Sequence, residues 1–162
     1  MTTMTRDVGD PGDSMNALFQ LVSEQEIPTL LGLMREFYAD QHMRFDEDVA
    51  RSGLKKLLAD TSLGQACFIY HSAELAGYFV LTVCFSLEFH GRFGLLDELY
   101  IRGPFRGRHL GQAVIAFAET VCKQTGIKAL RLEVGRGNEA AQALYRACGF
   151  VEDARNLFTK WL

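Results

Sequence analysis

Apolar positions along this chain recur with two periods, and the switches between them mark its elements. A short apolar run at 17–22 reads as a first strand. Ser23 then stands at a helix cap, with Glu26 three residues on completing a capping box and Pro28 in the early turns. The helix predicted over about 24–41 places Ile27, Leu30, Leu31, Met34, Phe37 and Tyr38 on one stripe. The connection His42-Met43-Arg44-Phe45 leads to a second helix, about 46–59, that turns Val49, Leu54, Leu57 and Leu58 inward. The pattern then changes: residues 66–71 and 77–87, rich in β-branched and aromatic side chains, read as strands joined by a turn at Ser72-Ala73-Glu74. Residues 88–91 make a second turn, and a strand follows at about 93–101.

The second half alternates. A helix over about 109–124 stops near Gly126, a strand follows at 129–134, then a helix over 139–148, and the tail 156–162 reads as a last strand. The order β-α-α-β-β-β-α-β-α-β predicts a mixed α/β sheet, with antiparallel hairpins in the first half and crossover helices in the second. Residues 1–15, MTTMTRDVGDPGDSM, have no periodicity and no apolar signal-peptide core. They read as a disordered extension or a cloning remnant, with Met15 as an alternative start and residues 16–162 as a single domain.

A chain of 162 residues has room for one real core. Its net charge of −3 offers no electrostatic footprint for nucleic acid and no polybasic membrane anchor. No apolar run reaches the ~18 residues that span a bilayer. Cys67, Cys84, Cys122 and Cys148 are scattered through apolar segments without CxxC pairing, which fits reduced core thiols in a cytoplasmic protein. His42, His71, His90 and His109 are too dispersed to suggest a metal site.

The chemistry concentrates in LLDELYIRGPFRGRHLGQAVIAF and LRLEVGRGNEAAQALYRACGF. A strand running into Arg106-Gly107-Arg108-His109-Leu110-Gly111 and then a helix has the layout of a phosphate cradle, in which backbone N–H groups and the helix dipole converge on an anion. Gly107 and Gly111 would let the backbone approach closely, and Arg106 and Arg108 add charge. Alone, such a turn serves packing equally well. A nucleotide P-loop is set aside because no Lys-Ser/Thr follows the glycines.

On the strand before it, simple alternation puts Leu96, Glu98 and Tyr100 on one face and Leu95, Asp97, Leu99 and Ile101 on the other. Two adjacent acids violate the apolar pattern of a central strand, and a buried carboxylate needs a partner or a task. Asn138 is placed to cap the helix 139–148. Tyr145, two turns on, is either a core tyrosine or a functional one.

Taken together, residues 93–151 resemble the GNAT superfamily of N-acetyltransferases, whose pattern is Arg/Gln-x-x-Gly-x-Gly/Ala followed by Asn…Ala-x-x-Leu-Tyr-x-x-x-Gly-Phe. From about residue 17 the resemblance extends by element order alone. It implies the GNAT fold, with a sheet splayed where acetyl-CoA binds as co-substrate. It also implies coenzyme contacts from Arg106 through Gly111 and Gln112, from Asn138 and Tyr145, and from the backbone of Leu99 and Ile101 to the pantetheine arm. His109 departs from the pattern by standing at the first motif glycine, which requires it to keep φ negative with its side chain outward.

An alkyl ammonium has a pKa near ~10.4, so only about one molecule in a thousand is nucleophilic at neutral pH. A positioned general base is worth ~10²–10⁴ in rate. The resemblance points to Glu98 for that role, ahead of Asp97 and Glu88; a structural ion pair with Arg92 or Arg102 and a water-chain base stays open. Tyr145 would protonate the leaving thiolate. With no cysteine in a nucleophile's setting, direct transfer to an amine is expected. The acceptor pocket, by the same resemblance, lies between the first two helices and the turn before the acidic strand, implicating Phe37, Tyr38, His42, Phe45, Glu88 and His90. That mixture suits a small cation such as a polyamine or amino sugar, and equally a lysine or N-terminal amine on a peptide. A homodimer is compatible with it. A non-catalytic acyl-CoA-binding module is the competing class, and a pure binder needs no acid.

Overall fold

The computed structural model describes residues 17–162; the polar stretch 1–15 lies outside them. In chain order the elements are β1 (Ala17–Leu21), α1 (Ile27–Asp40), α2 (Glu47–Ala59), β2 (Gly64–His71), β3 (Glu74–Ser86), β4 (Gly91–Ile101), α3 (Leu110–Gln124), β5 (Leu130–Leu132) and α4 (Glu139–Ala147). Single 3₁₀ turns at Glu24–Glu26 and Gly103–Phe105 precede α1 and α3. Among the described residues the five strands form one sheet in the order β1-β2-β3-β4-β5. The first four are antiparallel, and β5 joins β4 in parallel.

Local chemistry explains the entry points. The Glu26 carboxylate accepts from both the N–H and the hydroxyl of Ser23, at 2.9 and 2.7 Å, which fixes the start of the first helical segment. Asp46 caps α2 through the N–H of Val49 at 3.2 Å. Ser72 and Ala73 both take positive φ, 49° and 67°, as a two-residue primed hairpin turn requires.

The sheet is covered on both faces. Helices α1 and α2 lie on one, where Ile27, Leu30, Leu31, Leu54, Phe68, Tyr78, Val80 and Tyr100 make a core. On the other, Phe79, Leu81, Leu96, Leu110, Val114 and Ile115 pack under α3, with Leu144, Tyr145 and Phe150 of the α4 region beside them. Strand β3 sends alternate residues to the two layers, which is why its stretch from Ala76 to Leu81 is buried throughout.

Two sequence expectations are corrected here. Val49 is 68% exposed rather than inward. At about 100° per residue it lies some 140° around α2 from Leu54, whereas Ala50 lies within about 40° and takes the inner position. The tail 156–162 is not a strand: among the described residues no sheet partner stands beyond β5, and Leu157, Phe158 and Trp161 are exposed. Side-chain contacts hold the segment leading into it instead, with Glu152 on Arg146, Asp153 on Arg131, Arg155 on Glu88 and the tail's first residue, Asn156, on Arg136. The order of elements otherwise follows the expected one.

Candidate active site

Strand β4 carries the site, and one extra residue in it decides which side chains meet. Against β3, Leu96 pairs with Leu81 and Glu98 with Val80, so Asp97 has no opposite number. This is a β-bulge. It corrects the simple alternation read from sequence: Leu96 and Leu99 both face α3, while Glu98 and Tyr100 face α1 and α2. The side chain of Asp97 reaches solvent.

Glu98 is thereby driven among tyrosines. Its Oε1 accepts from the Tyr38 hydroxyl at 2.9 Å and its Oε2 from the Tyr78 hydroxyl at 2.8 Å. Burial raises the Glu98 pKa above the ordinary carboxylate value; the two phenols pull it back in part, and the Asp97 charge adds to the rise. Burial, then the Glu98 charge, push both phenols up as well, so they stay protonated at neutral pH. The ring of Phe45 packs against Tyr38 at 5.2 Å. Tyr38, Phe45 and Glu98 therefore come together, as does Phe37, 5.6 Å from Tyr38.

His42 and His90 stand exposed in turns with positive φ, 54° and 58°. Glu88, in the turn at the other end of the β3–β4 hairpin from Glu98, forms a bidentate pair with Arg155 at 2.6 and 2.7 Å, which lowers its pKa. Tyr78 was not legible as a site residue, since one tyrosine in an apolar strand reads as core. The available signal was that a buried phenol needs a partner, and the unexplained acids lay on a neighbouring strand.

A second feature of β4 is its free edge. Pairing with β5 covers only Gly94, Leu95 and Leu96, while β4 runs on to Ile101. The Arg102 N–H donates to the Ala76 carbonyl at 2.9 Å. Hydrogen-bonded pairs alternate in an antiparallel ladder, so the amide groups of Leu99 and Ile101 point away from β3, along the uncovered edge. Arg106 Nε donates to the Ile101 carbonyl there at 2.8 Å.

That edge leads into the loop 102–109. Arg106 is also ion-paired with Asp40 at 2.6 Å and lies over the Tyr100 ring. Arg102 grips Glu36 through two hydrogen bonds of 3.0 Å. Arg108 is exposed, over the Phe105 ring. Gly107 takes φ +76° with open space where a Cβ would stand. Gly111 is buried for a packing reason of its own: a Cβ there would meet Leu144 Cδ2 at 2.7 Å, so α3 and α4 touch at this residue. Leu110 is buried beside it, and Gln112 is exposed in the first turn of α3.

His109 is corrected as well. It caps α3 with φ 58° and ψ 12°, in the left-handed region, where a negative φ was required. The turn demands this backbone whatever the residue, and histidine tolerates it better than most non-glycine residues. Its Nδ1 lies 2.9 Å from Gln112 Oε1. Left-handed backbone costs a non-glycine residue roughly 1–2 kcal/mol, partly offset by the freedom glycine has when unfolded. His109→Gly is therefore expected to stabilise the protein by roughly 0.5–1 kcal/mol, read as a higher urea midpoint at unchanged slope. A lower midpoint would show that the ring contact outweighs the strain.

Asn138 caps α4, its Oδ1 accepting from the Ala141 N–H at 3.1 Å. Tyr145 is half-buried, 5.9 Å from the Phe150 ring, and burial raises its pKa, with a smaller contribution from Cys148. Burial pushes the Cys67 thiol up to about 12 and raises Cys122 and Cys148 too, so none of these is primed as a nucleophile. Among the described residues no cluster of His, Cys, Asp and Glu could hold a metal ion, and no helix is long and apolar enough to cross a membrane.

Comparison with known proteins bears on the whole arrangement. Residues 28–150 match the model of a family described as "Acetyltransferase (GNAT) family". A protein of Lactobacillus delbrueckii subsp. lactis, described as an uncharacterized N-acetyltransferase in the pepI 3′ region, is 28% identical over 149 residues, covering 85% of this chain and 86% of its own. An integron cassette protein from the mobile metagenome of Cole Harbour salt marsh is 31% identical, with a TM-score of 0.80 and 93% of each chain covered. A structure described as a predicted acetyltransferase with acetyl-CoA, from Clostridium acetobutylicum, is 12% identical with a TM-score of 0.76, covering 89% of this chain and 96% of its own.

Proposed function

The chain belongs to the acetyltransferase (GNAT) family and is an acetyl-CoA-dependent acyltransferase, and we propose that it transfers the acetyl group directly to a primary amine. The observation that carries this reading is the position of Glu98, a half-buried carboxylate one residue past the bulge and beside the uncovered edge of β4. When bound, acetyl-CoA supplies an activated acyl group. The residues present fit it: Leu99 and Ile101 aim amide groups along an edge that no strand covers, and the loop beyond it opens onto the N-terminus of α3. The N–H groups from Gly107 to Gln112 would take the phosphates, with charge from Arg108 and from Arg106. Because Arg106 also serves Asp40 and the Ile101 carbonyl, it holds the loop's shape as well. Asn138 caps α4 and adds a polar contact on the coenzyme side.

For the acceptor, Glu98 takes a proton from the ammonium, and Tyr145 gives one to the departing sulfur. Aromatic rings and acids around Glu98 favour a cationic amine, either a small polyamine or amino sugar or an amine on a peptide. Tyr38 and Phe45 would line its approach, with His42 and Glu88 farther out. Burial raises both carboxyls, and Glu98 rather than Asp97 is taken as the base because it faces Tyr38 on the α1–α2 side, whereas the Asp97 side chain reaches solvent.

Coenzyme binding is tested by thermal unfolding. Acetyl-CoA at 100 times its dissociation constant is expected to stabilise the fold by ~2.7 kcal/mol through mass action. ATP, which matches no P-loop here, is expected to leave Tm unchanged. A response to ATP with indifference to acetyl-CoA would overturn the assignment.

A further inference from the structure

Each oxygen of the Glu98 carboxylate accepts from one phenol, and the two donors differ in where they stand. Tyr78 lies in the middle of β3, 0% exposed, with the rings of Phe37 and Tyr100 at 6.3 and 6.2 Å. Its hydroxyl cannot meet an incoming molecule. Tyr38 lies near the C-terminal end of α1, half-buried, just before the α1–α2 turn. Its hydroxyl donates to Glu98 Oε1, and an acceptor entering, as proposed, between α1 and α2 would meet Tyr38 before Glu98. A phenol has one O–H and two lone pairs, so while Tyr38 donates to Glu98 its oxygen can still accept.

We propose that Tyr38 relays the proton from the acceptor ammonium to Glu98. This rests on Glu98 being the base of the proposed transfer and adds the route by which it acts. The ammonium donates an N–H to Tyr38 Oη. As that proton moves to Oη, the original Tyr38 proton moves to Glu98 Oε1. One N–H and one O–H bond break and two O–H bonds form, so an ammonium and a carboxylate become an amine and a carboxylic acid. Tyr38 ends neutral, as it began. The groups facing its hydroxyl agree with this: Glu98 and Asp97 of β4 both disfavour a tyrosinate, so the two transfers go together.

The alternative, direct abstraction by Glu98, predicts no such loss, because removing the Tyr38 hydroxyl would open Oε1 further to the amine and leave Glu98 more basic. The test is kcat/KM for an amine that the protein acetylates, followed by thiol release, in the wild type, Tyr38→Phe, Glu98→Gln and the double variant. A relay predicts that Tyr38→Phe falls about 10- to 10²-fold at pH 7 with acetyl-CoA affinity kept, and recovers at pH above the acceptor's own pKa. A merely structural role would not recover. The double variant should be no slower than Glu98→Gln alone, since both residues serve one path.

The wild type supplies a further measurement that needs no variant to fold. Two protons in flight bow the plot of kcat/KM against deuterium fraction. Tyr38→Phe within two-fold of wild type, losses that multiply in the double variant, or a straight plot each overturn the relay and leave the acetyltransferase reading standing. Binding of acetyl-CoA with no thiol release from any amine overturns both.

Discussion

Glu98→Gln is expected to lower turnover about 10²-fold or more at pH 7 while leaving acetyl-CoA affinity nearly unchanged. Glutamine keeps the shape and can still bond both tyrosines, because a hydroxyl rotates to donate to the amide oxygen or accept from its nitrogen. It cannot take a proton. The pH dependence separates this from a positional effect. In the wild type the acid limb of kcat/KM reports the base, and burial places that limb above the ordinary carboxylate range. In the variant the limb disappears, and the rate climbs only as the free amine becomes abundant.

Stability should move differently. A carboxylate whose folded pKa is raised binds its proton more tightly when folded, so its contribution to stability falls as pH rises from the unfolded value through the folded one. At pH 7, above the unfolded value, an ionised Glu98 costs stability. Glu98→Gln is thus expected to unfold at no lower temperature than wild type even as it loses activity. Full activity in Glu98→Gln, with loss in Asp97→Asn or Glu88→Gln, would move the role to that residue.

What was legible in the sequence follows from what sequence periodicity can encode. Helix α1 and strands β2 to β4 announced themselves because their apolar positions keep one period for several residues. Asn138 and the Ser23–Glu26 box were readable because a cap is a local arrangement, complete within one turn. The bulge at Asp97 was not, because a bulge is a relation between two strands: it exists only in the register that sets Glu98 against Val80 and Leu96 against Leu81. Missing it put Leu96 and Glu98 on one face.

The same limit hid Tyr78 and the meeting of Tyr38, Tyr78 and Glu98 at one carboxylate, since the three come from α1, β3 and β4. It also hid the tail, where an apolar pattern typical of a strand finds, among the described residues, no neighbouring strand to complete it. His109 failed for a different reason. Residue preference argued for negative φ, but the geometry of the turn into α3 overrode it.

The leaving-group side of the reaction predicts the second large effect. Tyr145→Phe is expected to bind acetyl-CoA within a few-fold of wild type yet turn over about 10- to 10³-fold more slowly, the span of a modest general-acid contribution. The substitution is conservative where the structure makes contact: the ring packs edge-on against Phe150 among the residues under α3, and phenylalanine keeps that packing. Only the hydroxyl goes. Burial holds the phenol protonated well past neutral pH, so the proton is in place when sulfur needs it. A phenol's ordinary pKa of ~10 is near that of an alkyl thiol, and burial places Tyr145 above it, so the proton moves only as negative charge gathers on the departing sulfur. Because the interaction strengthens only in the transition state, kcat and kcat/KM should fall together. A thioester with a more acidic leaving thiol should lose less, since it departs without help. If Tyr145→Phe stays fully active with both thioesters while Tyr145→Ala merely unfolds, the tyrosine is a core residue and the sulfur takes its proton from elsewhere.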